Sequence, residues 1–407
     1  MDFVADSIIK GRPYPALAVH QARPYTQAWR EFSQHWPHTT SAELFAHMDD
    51  HSIEYQLHTD GAGYYVIGLG FFDFAIDYFA LIAPNIKQGI KQGTVTVLFY
   101  YHEGDNPYNI KQRLDALCVQ NNLSTGCYRF VSGNTAANSI PGFAYFPDHE
   151  LLFWRRNQDV VPGEFHTRSR PYTFVVLSRT HKWWRAAIMA DLLQSNMLSQ
   201  SLWSYNTELP LGDNPADNPI ERLPNVAVDV FMENGPYRCD TLTVDEHNNH
   251  ALAVPEHYAD VYFNVVVETH FDADGSGGTF LTEKTFKPIK NGQPFVLVAP
   301  PGSLQCLRDL GYRTFDSVLD NSYDQETNNT QRWLKIKHTL EQIQQDPHDM
   351  LLRCWDDIKH NQQLFLASKS QRLNTLFTKL QSYDLFLHQL ATSRRGHCGS
   401  RLLTRLL

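Results

Sequence analysis

Two stretches of this chain carry cationic side chains where an apolar run gives way to a turn and a helix. The first is Leu177-Ser-Arg-Thr-His-Lys-Trp-Trp-Arg185, which gathers Arg179, Lys182 and Arg185. Free N–H groups at a helix start favour an anion, the helix dipole adds to them, and arginine supplies a bidentate fork for phosphate oxygens. The same spacing also describes a solvated basic face. The second stretch leaves the β-rich run 261–267 at Glu268, crosses a Gly-rich segment and reaches Thr282-Glu283-Lys284. Thr282 stands at an N-cap position, and Glu283 and Lys284 open the helix. A lysine there runs against the dipole, which an anionic ligand would offset. Glu283 could accept hydrogen bonds from ribose hydroxyls. Together the two stretches predict a site for a nucleotide diphosphate.

Carboxylates elsewhere suit proton transfer. The apolar run 94–101 ends in His102-Glu-Gly-Asp-Asn-Pro, and function in α/β sheets concentrates at the carboxyl ends of strands. Glu103 and Asp105 are therefore the leading candidates for a general base. The alternative is a strand-end turn in which Asp105 or Asn106 caps the next helix. Asp73 and Asp77 rank second, and Gly68-x-Gly70 lacks the third glycine of a dinucleotide fingerprint. Asp272-Ala-Asp274 could offer oxygens to a hard cation, yet no further acid follows at calcium-loop spacing. A divalent metal at Asp272/Asp274 is not expected, and no cofactor is obligatory. Of the 19 histidines, His102 and His181 lie near the proposed sites. Trp183 and Trp184 could stack a base, or pack as core.

The elements that must hold these groups read as alternating strands and helices. Strands are predicted at 64–69, 94–101, 174–177, 261–267 and 295–298, and helices at 75–91, 108–121, 183–200, 283–291 and 303–310. Such alternation implies parallel α/β layers. Residues 1–60 are less legible and decorate the first domain, 156–170 reads as a linker, 205–225 as a loop, and 330–390 as helical. The 407 residues, 42% apolar and 13% aromatic, are ample for two cores and exclude wholesale disorder. A formal charge of −9 argues against coating nucleic acid by charge alone. Six scattered cysteines without a C-x-x-C pair suit reduced thiols. The amino terminus lacks the basic start and apolar core of a secretory signal, and no run has the about 20 uncharged apolar residues of a membrane span. A cytoplasmic location with no membrane span is the expectation.

The block Glu268-Thr-His … Leu281-Thr-Glu-Lys-Thr-Phe-Lys-Pro-Ile-Lys-Asn-Gly-Gln-Pro-Phe-Val-Leu-Val298 resembles the donor-binding signature of the α-1,3-fucosyltransferase family. The continuation Pro-Gly-Ser-Leu … Leu-Arg-Asp-Leu-Gly-Tyr-Arg-Thr-Phe is similar to bacterial and viral fucosyltransferase-like proteins, as is the Ser-Arg-x-x-Lys-x-x-Arg turn. The resemblance covers about 171–325. It departs at Thr269, where the family usually has Asn, and in a longer loop over 268–281. What it implies is an α/β fold of two Rossmann-like domains facing across a cleft (GT-B), with a helical C-terminal segment. The implied divisions are an acceptor-side domain 1–165, a nucleotide-sugar domain 166–330 and C-terminal helices 331–407. On this reading Lys284 and Arg185 bind the diphosphate, Arg179, Lys182 and Thr282 complete that site, Glu283 holds the ribose and Glu268 lines the sugar end. The implied reaction moves a sugar, fucose among the candidates, from a GDP- or UDP-sugar to the hydroxyl of a glycan or other acceptor, with inversion and without metal. Two alternatives stand beside it. One is a transferase acting on hydroxylated bases in DNA, a partner that the overall charge does not favour. The other is an inactive carbohydrate-binding or scaffold protein of the same fold.

Overall fold

A computed structural model of the chain describes residues 1–4, 7–9, 12–14, 40–58, 61–70, 72–158, 168–178, 181–207, 220, 226–239, 255–272 and 277–403. Two parallel-sheet α/β units make up the chain, Met1–Asp148 with Ser368–Leu407, and His149–Ala367. Each is compatible with a Rossmann-like domain.

In the first unit, Asp2–Val4 (β1), Gln56–His58 (β4), Gly63–Leu69 (β5), Val95–Tyr101 (β6), Tyr128–Ser132 (β7) and Phe143–Tyr145 (β8) form a parallel sheet in the order β4-β1-β5-β6-β7-β8. Ser7–Ile9 (β2) and Arg12–Tyr14 (β3) pair as an antiparallel hairpin. The middle strands are buried along nearly their whole length, the pattern of a sheet covered on both faces. One face carries an aromatic core of Phe72, Tyr78, Phe79, Phe99, Tyr128, Phe130 and Phe143. In it Phe130 and Phe143 stack with centroids 4.9 Å apart. Three helices accompany these strands, Thr40–Asp50 (α1), Pro84–Gln92 (α2) and Pro107–Gln120 (α3). β1 lies within this sheet, so the first residues of the chain are part of the core rather than decoration. Gly63 explains the close fit, because a Cβ there would stand 2.6 Å from the carbonyl oxygen of Asp2 and its φ is +149°.

The helix expected over 75–91 is shorter. Residues before Pro84 form turns, and the helix begins at the proline with Ile86 and Ile90 inward. Ala83 is extended (φ −58°, ψ 145°), as a residue before proline prefers. The carboxylates of Asp73 and Asp77 accept backbone N–H bonds from Ala75 and Ala80 and hold those turns.

Beyond Asp148–Arg156 (α4), the second unit builds a four-stranded parallel sheet. Its elements are Tyr172–Ser178 (β9), Trp183–Gln194 (α5), Ser201–Tyr205 (β10), Val228–Glu233 (α6), Pro255–Ala259 (α7), Val261–Val267 (β11), Glu283–Lys290 (α8), Phe295–Val298 (β12) and Ser303–Asp309 (α9). The strand order is β10-β9-β11-β12. The chain thus winds from β9 to β10 on one side and then crosses to β11 on the other, making the β9/β11 boundary a topological switch point. β10 was not expected. Its five residues follow a turn over 195–200, because the helix 183–194 ends six residues earlier than its apolar pattern predicts, with Ser195 as its C-cap and Asn196 at φ +61°.

Three further helices, Asn329–Gln345 (α10), Pro347–Arg353 (α11) and Trp355–Leu366 (α12), belong to this second unit. α12 lies on α8 through the Phe286–Phe365 ring pair and a bond from Gln362 Nε2 to the Lys290 carbonyl, 2.9 Å. Ser370–Leu403 (α13) belongs to the first unit. Leu373, Leu376, Phe377 and Leu380 are its buried stripe, at the spacing of one helix face. Arg129 binds Asp384, lies 4.6 Å over the Tyr383 ring, and shares Asp384 with Tyr64. The helices after 330 are therefore divided between the two units rather than forming a segment of their own. Among the described residues, no helix is long and apolar enough to cross a membrane.

Candidate functional site

The carboxyl edge of the second sheet gathers the cations around one short loop. Glu268 follows β11 directly and is fully buried. Its carboxylate accepts from the backbone N–H groups of Thr282 (3.1 Å) and Thr269 (3.2 Å) and from the hydroxyls of Thr282 (2.7 Å) and Thr285 (2.5 Å). Four donors thus satisfy the oxygens of a buried side chain. The effect is to clamp the end of β11 to the first turn of α8. Thr282 closes the clamp as N-cap, its hydroxyl accepting from Lys284 N–H at 3.4 Å.

Three cations meet this loop from two elements. Lys182, the N-cap residue of α5, donates its Nζ to the carbonyl of Thr269 at 2.6 Å. Arg185, one turn into α5, donates to the carbonyl of Glu268, and its guanidinium lies 5.1 Å from the Trp184 ring centroid. Lys284 reaches the hydroxyls of Thr269 (3.3 Å) and Thr282 (3.1 Å) and the carboxylate of Glu283 (3.3 Å). Glu283 is buried, with His149 Nδ1 at 3.5 Å from its other oxygen. Arg185 is buried, whereas Lys182 and Lys284 are half-exposed. The two lysines are the ammonium groups of the cluster that can still turn toward a ligand. Arg179 and Asp274 lie outside the described residues.

The structure brings together Lys182, Arg185, Glu268, Thr282, Glu283 and Lys284 at the switch point between β9 and β11. It differs from the sequence reading in what Glu268 does, since its carboxylate lies beneath the helix start with four donors from the chain. Trp184 packs in the core, stacked on Phe271 with centroids 5.3 Å apart.

Several residues that sequence reasoning passed over hold the cluster in place. Tyr205, at the end of β10, donates its hydroxyl to the Lys182 carbonyl (3.2 Å) and lies 2.8 Å from His181 Nδ1. Arg332 of α10 is fully buried beneath Phe271, 4.2 Å from the ring centroid, and donates to the carbonyls of Phe271 and Glu326. Burial pulls its guanidinium down to about 10, against the opposing charges of Asp272 and Glu326. Asp191 binds Trp333 Nε1 at 2.8 Å and Lys337 Nζ at 2.7 Å, tying α5 to α10. A lone arginine or aspartate far along the chain carries no local signal for such a role. Thr285, four residues before Ile289 on the buried face of α8, was legible only as a helix residue.

In the first unit the carboxyl edge is acidic. Glu103 is half-buried with His102 Nε2 3.5 Å from its carboxylate, and its carbonyl accepts from Gly133 N–H at 3.1 Å. Asp105 accepts from the Tyr101 hydroxyl at 2.5 Å, and burial pushes that phenol well above its ordinary range, the charge of Asp105 adding to it. Asn106, not Asp105, caps α3, accepting from Tyr108 N–H at 3.0 Å. Asp77 is held by Asn121 Nδ2 at 3.0 Å and Gln120 at 3.3 Å, a structural bond between turn and helix. A second acid, unnoticed in the sequence, is Asp148. It is buried against His47 Nε2 (3.0 Å) and accepts from the Tyr100 hydroxyl. Burial alone would raise this carboxyl, but the hydrogen bond and charge of His47, with His102 and Tyr100, outweigh it and hold it at about 2.

Among the described residues no group of three or more His, Cys, Asp or Glu side chains is placed to hold a metal ion. No protein-family model, curated protein or solved structure matches the chain.

Proposed function

We propose that the chain is a GT-B glycosyltransferase that binds the diphosphate of a nucleotide sugar at the β9/β11 switch point. The observation that carries this reading is the convergence of Lys182, Arg185 and Lys284 on the 268–269 loop at the carboxyl edge of two adjacent parallel strands. Ligands of open α/β sheets bind in such crevices. Arg185 and the Glu268 clamp set the backbone of the loop, and Lys182 and Lys284 exchange their bonds to Thr269 for phosphate oxygens. Glu283, held by His149, is the acceptor for ribose hydroxyls.

In the reaction a carboxylate of the first unit, Glu103 or Asp105, takes the proton of the acceptor hydroxyl. The acceptor oxygen forms its bond to the anomeric carbon as the bond to the diphosphate breaks, and the nucleoside diphosphate leaves with the electron pair. Lys182 and Lys284 neutralise the charge that develops on it. Fucose as the sugar follows from the resemblance of the 268–298 block.

Thermal unfolding against GDP, UDP, CDP and ADP and their sugars tests the site. Ligand at 100-fold its dissociation constant adds about 2.7 kcal/mol to the folded state. One nucleotide raises the melting temperature of the wild type, and Lys284→Ala abolishes that rise. Lys284→Ala also lowers turnover by about 100- to 1,000-fold, the loss typical of one transition-state donor. An equal rise in both proteins removes Lys284 from the site. No rise with any nucleotide favours a binding or scaffold protein of the same fold.

A further inference from the structure

The six cysteines look unrelated in sequence, but the fold of the first unit brings two of them into contact. Cys118 lies in the last turn of α3 and Cys127 immediately precedes β7. Their sulfurs are 3.8 Å apart. Cys118 is fully buried and Cys127 half-buried. The backbone around both is fixed. Leu123 N–H donates to the Cys118 carbonyl at 2.8 Å, Cys127 N–H to Ser124 at 3.0 Å, and Val97 N–H to the Cys127 carbonyl at 2.9 Å. Of the residues between them, 121–126 make a partly exposed turn with Asn122 at φ +53°.

We infer that Cys118 and Cys127 form a reversible dithiol–disulfide site whose oxidant is hydrogen peroxide. A disulfide needs its sulfurs at about 2.0 Å, so from 3.8 Å the two must close by about 1.8 Å. Rotation of the half-buried Cys127 side chain supplies that movement.

Exposure and hydrogen bonding divide the roles. Cys127 is the half-buried residue of the pair and Cys118 the fully buried one. A hydrogen bond from the Cys118 thiol pulls the Cys127 thiol below its ordinary range, with Arg129 helping and burial opposing. The same contact, with burial, pushes Cys118 up. Cys127, the less buried of the pair, therefore attacks first, as its thiolate. Its sulfur bonds to one peroxide oxygen, the O–O bond breaks, and the departing hydroxide takes a proton to become water. Cys127 is then a sulfenic acid. Cys118 loses its proton and attacks the Cys127 sulfur, the S–O bond breaks, and the hydroxide leaves as a second water. Two thiols are oxidised and one peroxide is reduced to two waters. An external dithiol reverses the link by exchange.

The test uses the full chain treated with hydrogen peroxide, alkylated with iodoacetamide and mapped by mass spectrometry. The expected result is complete loss of alkylation at both residues, a 118–127 cross-linked peptide, and recovery of both thiols with dithiothreitol. Cys118→Ser leaves a Cys127 sulfenic acid that dimedone traps, and Cys127→Ser leaves Cys118 unoxidised. Far-UV circular dichroism confirms that both serine variants are folded. Full alkylation of both residues after peroxide, a cross-link to Cys239 instead, or sulfinic acid at Cys127 in the wild type overturns the proposal.

Discussion

The two sheets are wound alike but edged differently: the second sets three cations beside Glu268 and Glu283, while the first gathers acids. Each is parallel, each buries its central strands on both faces, and each has a switch point where the strand order reverses. At the carboxyl edge of the second sheet stand Lys182, Arg185 and Lys284. At that of the first stand Glu103, Asp105 and Asp148. The apolar strands that build the scaffold are interchangeable in kind, so they carry little information about chemistry. The loops after them carry nearly all of it. The two edges also handle burial differently. The cationic edge spends backbone carbonyls and hydroxyls on its lysines, bonds a ligand could replace. The acidic edge commits Asp148 to a histidine and a tyrosine in the interior and leaves Glu103 closer to solvent.

The contrast can be broken first on the acidic side. Under the proposed reaction, replacing the general base lowers turnover by about 100- to 10,000-fold while nucleotide-induced thermal stabilisation is kept. The two carboxylates are compared directly, since Tyr101 engages Asp105 and His102 lies beside Glu103. Steady-state rates for Glu103→Gln and Asp105→Asn decide it, and full turnover in both would make the acidic edge purely structural. On the cationic side the Glu268 clamp should dominate stability. Glu268→Ala strips the acceptor from buried donors on Thr282 and Thr285 and should cost about 3 kcal/mol in urea unfolding. Glu268→Gln, which keeps one acceptor oxygen, should cost less. A loss below that of an ordinary surface substitution would show that the loop holds without its clamp.

A smaller effect separates the buried acid of the first edge from the half-buried ones. The Asp148 carboxyl, held at about 2 against an ordinary value of 3.8, is depressed in the folded state. Its contribution is therefore present above about pH 4 and is lost as pH falls through about 2, on the order of 2 kcal/mol. Unfolding free energies measured between these pH values should fall in the wild type, and that part of the fall should be missing in Asp148→Asn. Smallest is the cap of α3. Asn106→Ala should lower stability by about 1 kcal/mol and leave turnover untouched, whereas a loss of turnover would place the cap, and not only its neighbours, in the site.

The sequence made the long elements legible and the short ones not. β6, β9, β11 and β12 are apolar runs bounded by turns, and α8 announces itself by Thr282 and the glycine after it. β1, with three residues, and β10, hidden behind a helix whose apolar pattern runs past its end, have too few residues to show a period. The helix over 75–91 failed at Pro84, where chain stiffness overrode the pattern. For the site, the spacing of Lys182, Arg185 and Lys284 at two predicted strand ends was enough to group them. The buried role of Glu268 was not legible, because an acid after a strand reads the same whether it meets solvent or three threonines. His47 and Asp148 are 101 residues apart, and nothing local in either segment points to the other.

The return of α13 to the first unit gives the chain a timetable. During synthesis the strands of that unit emerge first, yet Asp384, the partner of Arg129 and Tyr64, and the buried stripe Leu373, Leu376 and Leu380 leave the ribosome only after the whole of the second unit. A nascent chain adds roughly 5–20 residues per second. For the seconds it takes to translate the residues between β8 and α13, the first unit lacks this helix, while the second unit is continuous from His149 to Ala367 and has no later segment to wait for. The unit that begins first is thus the one that finishes last.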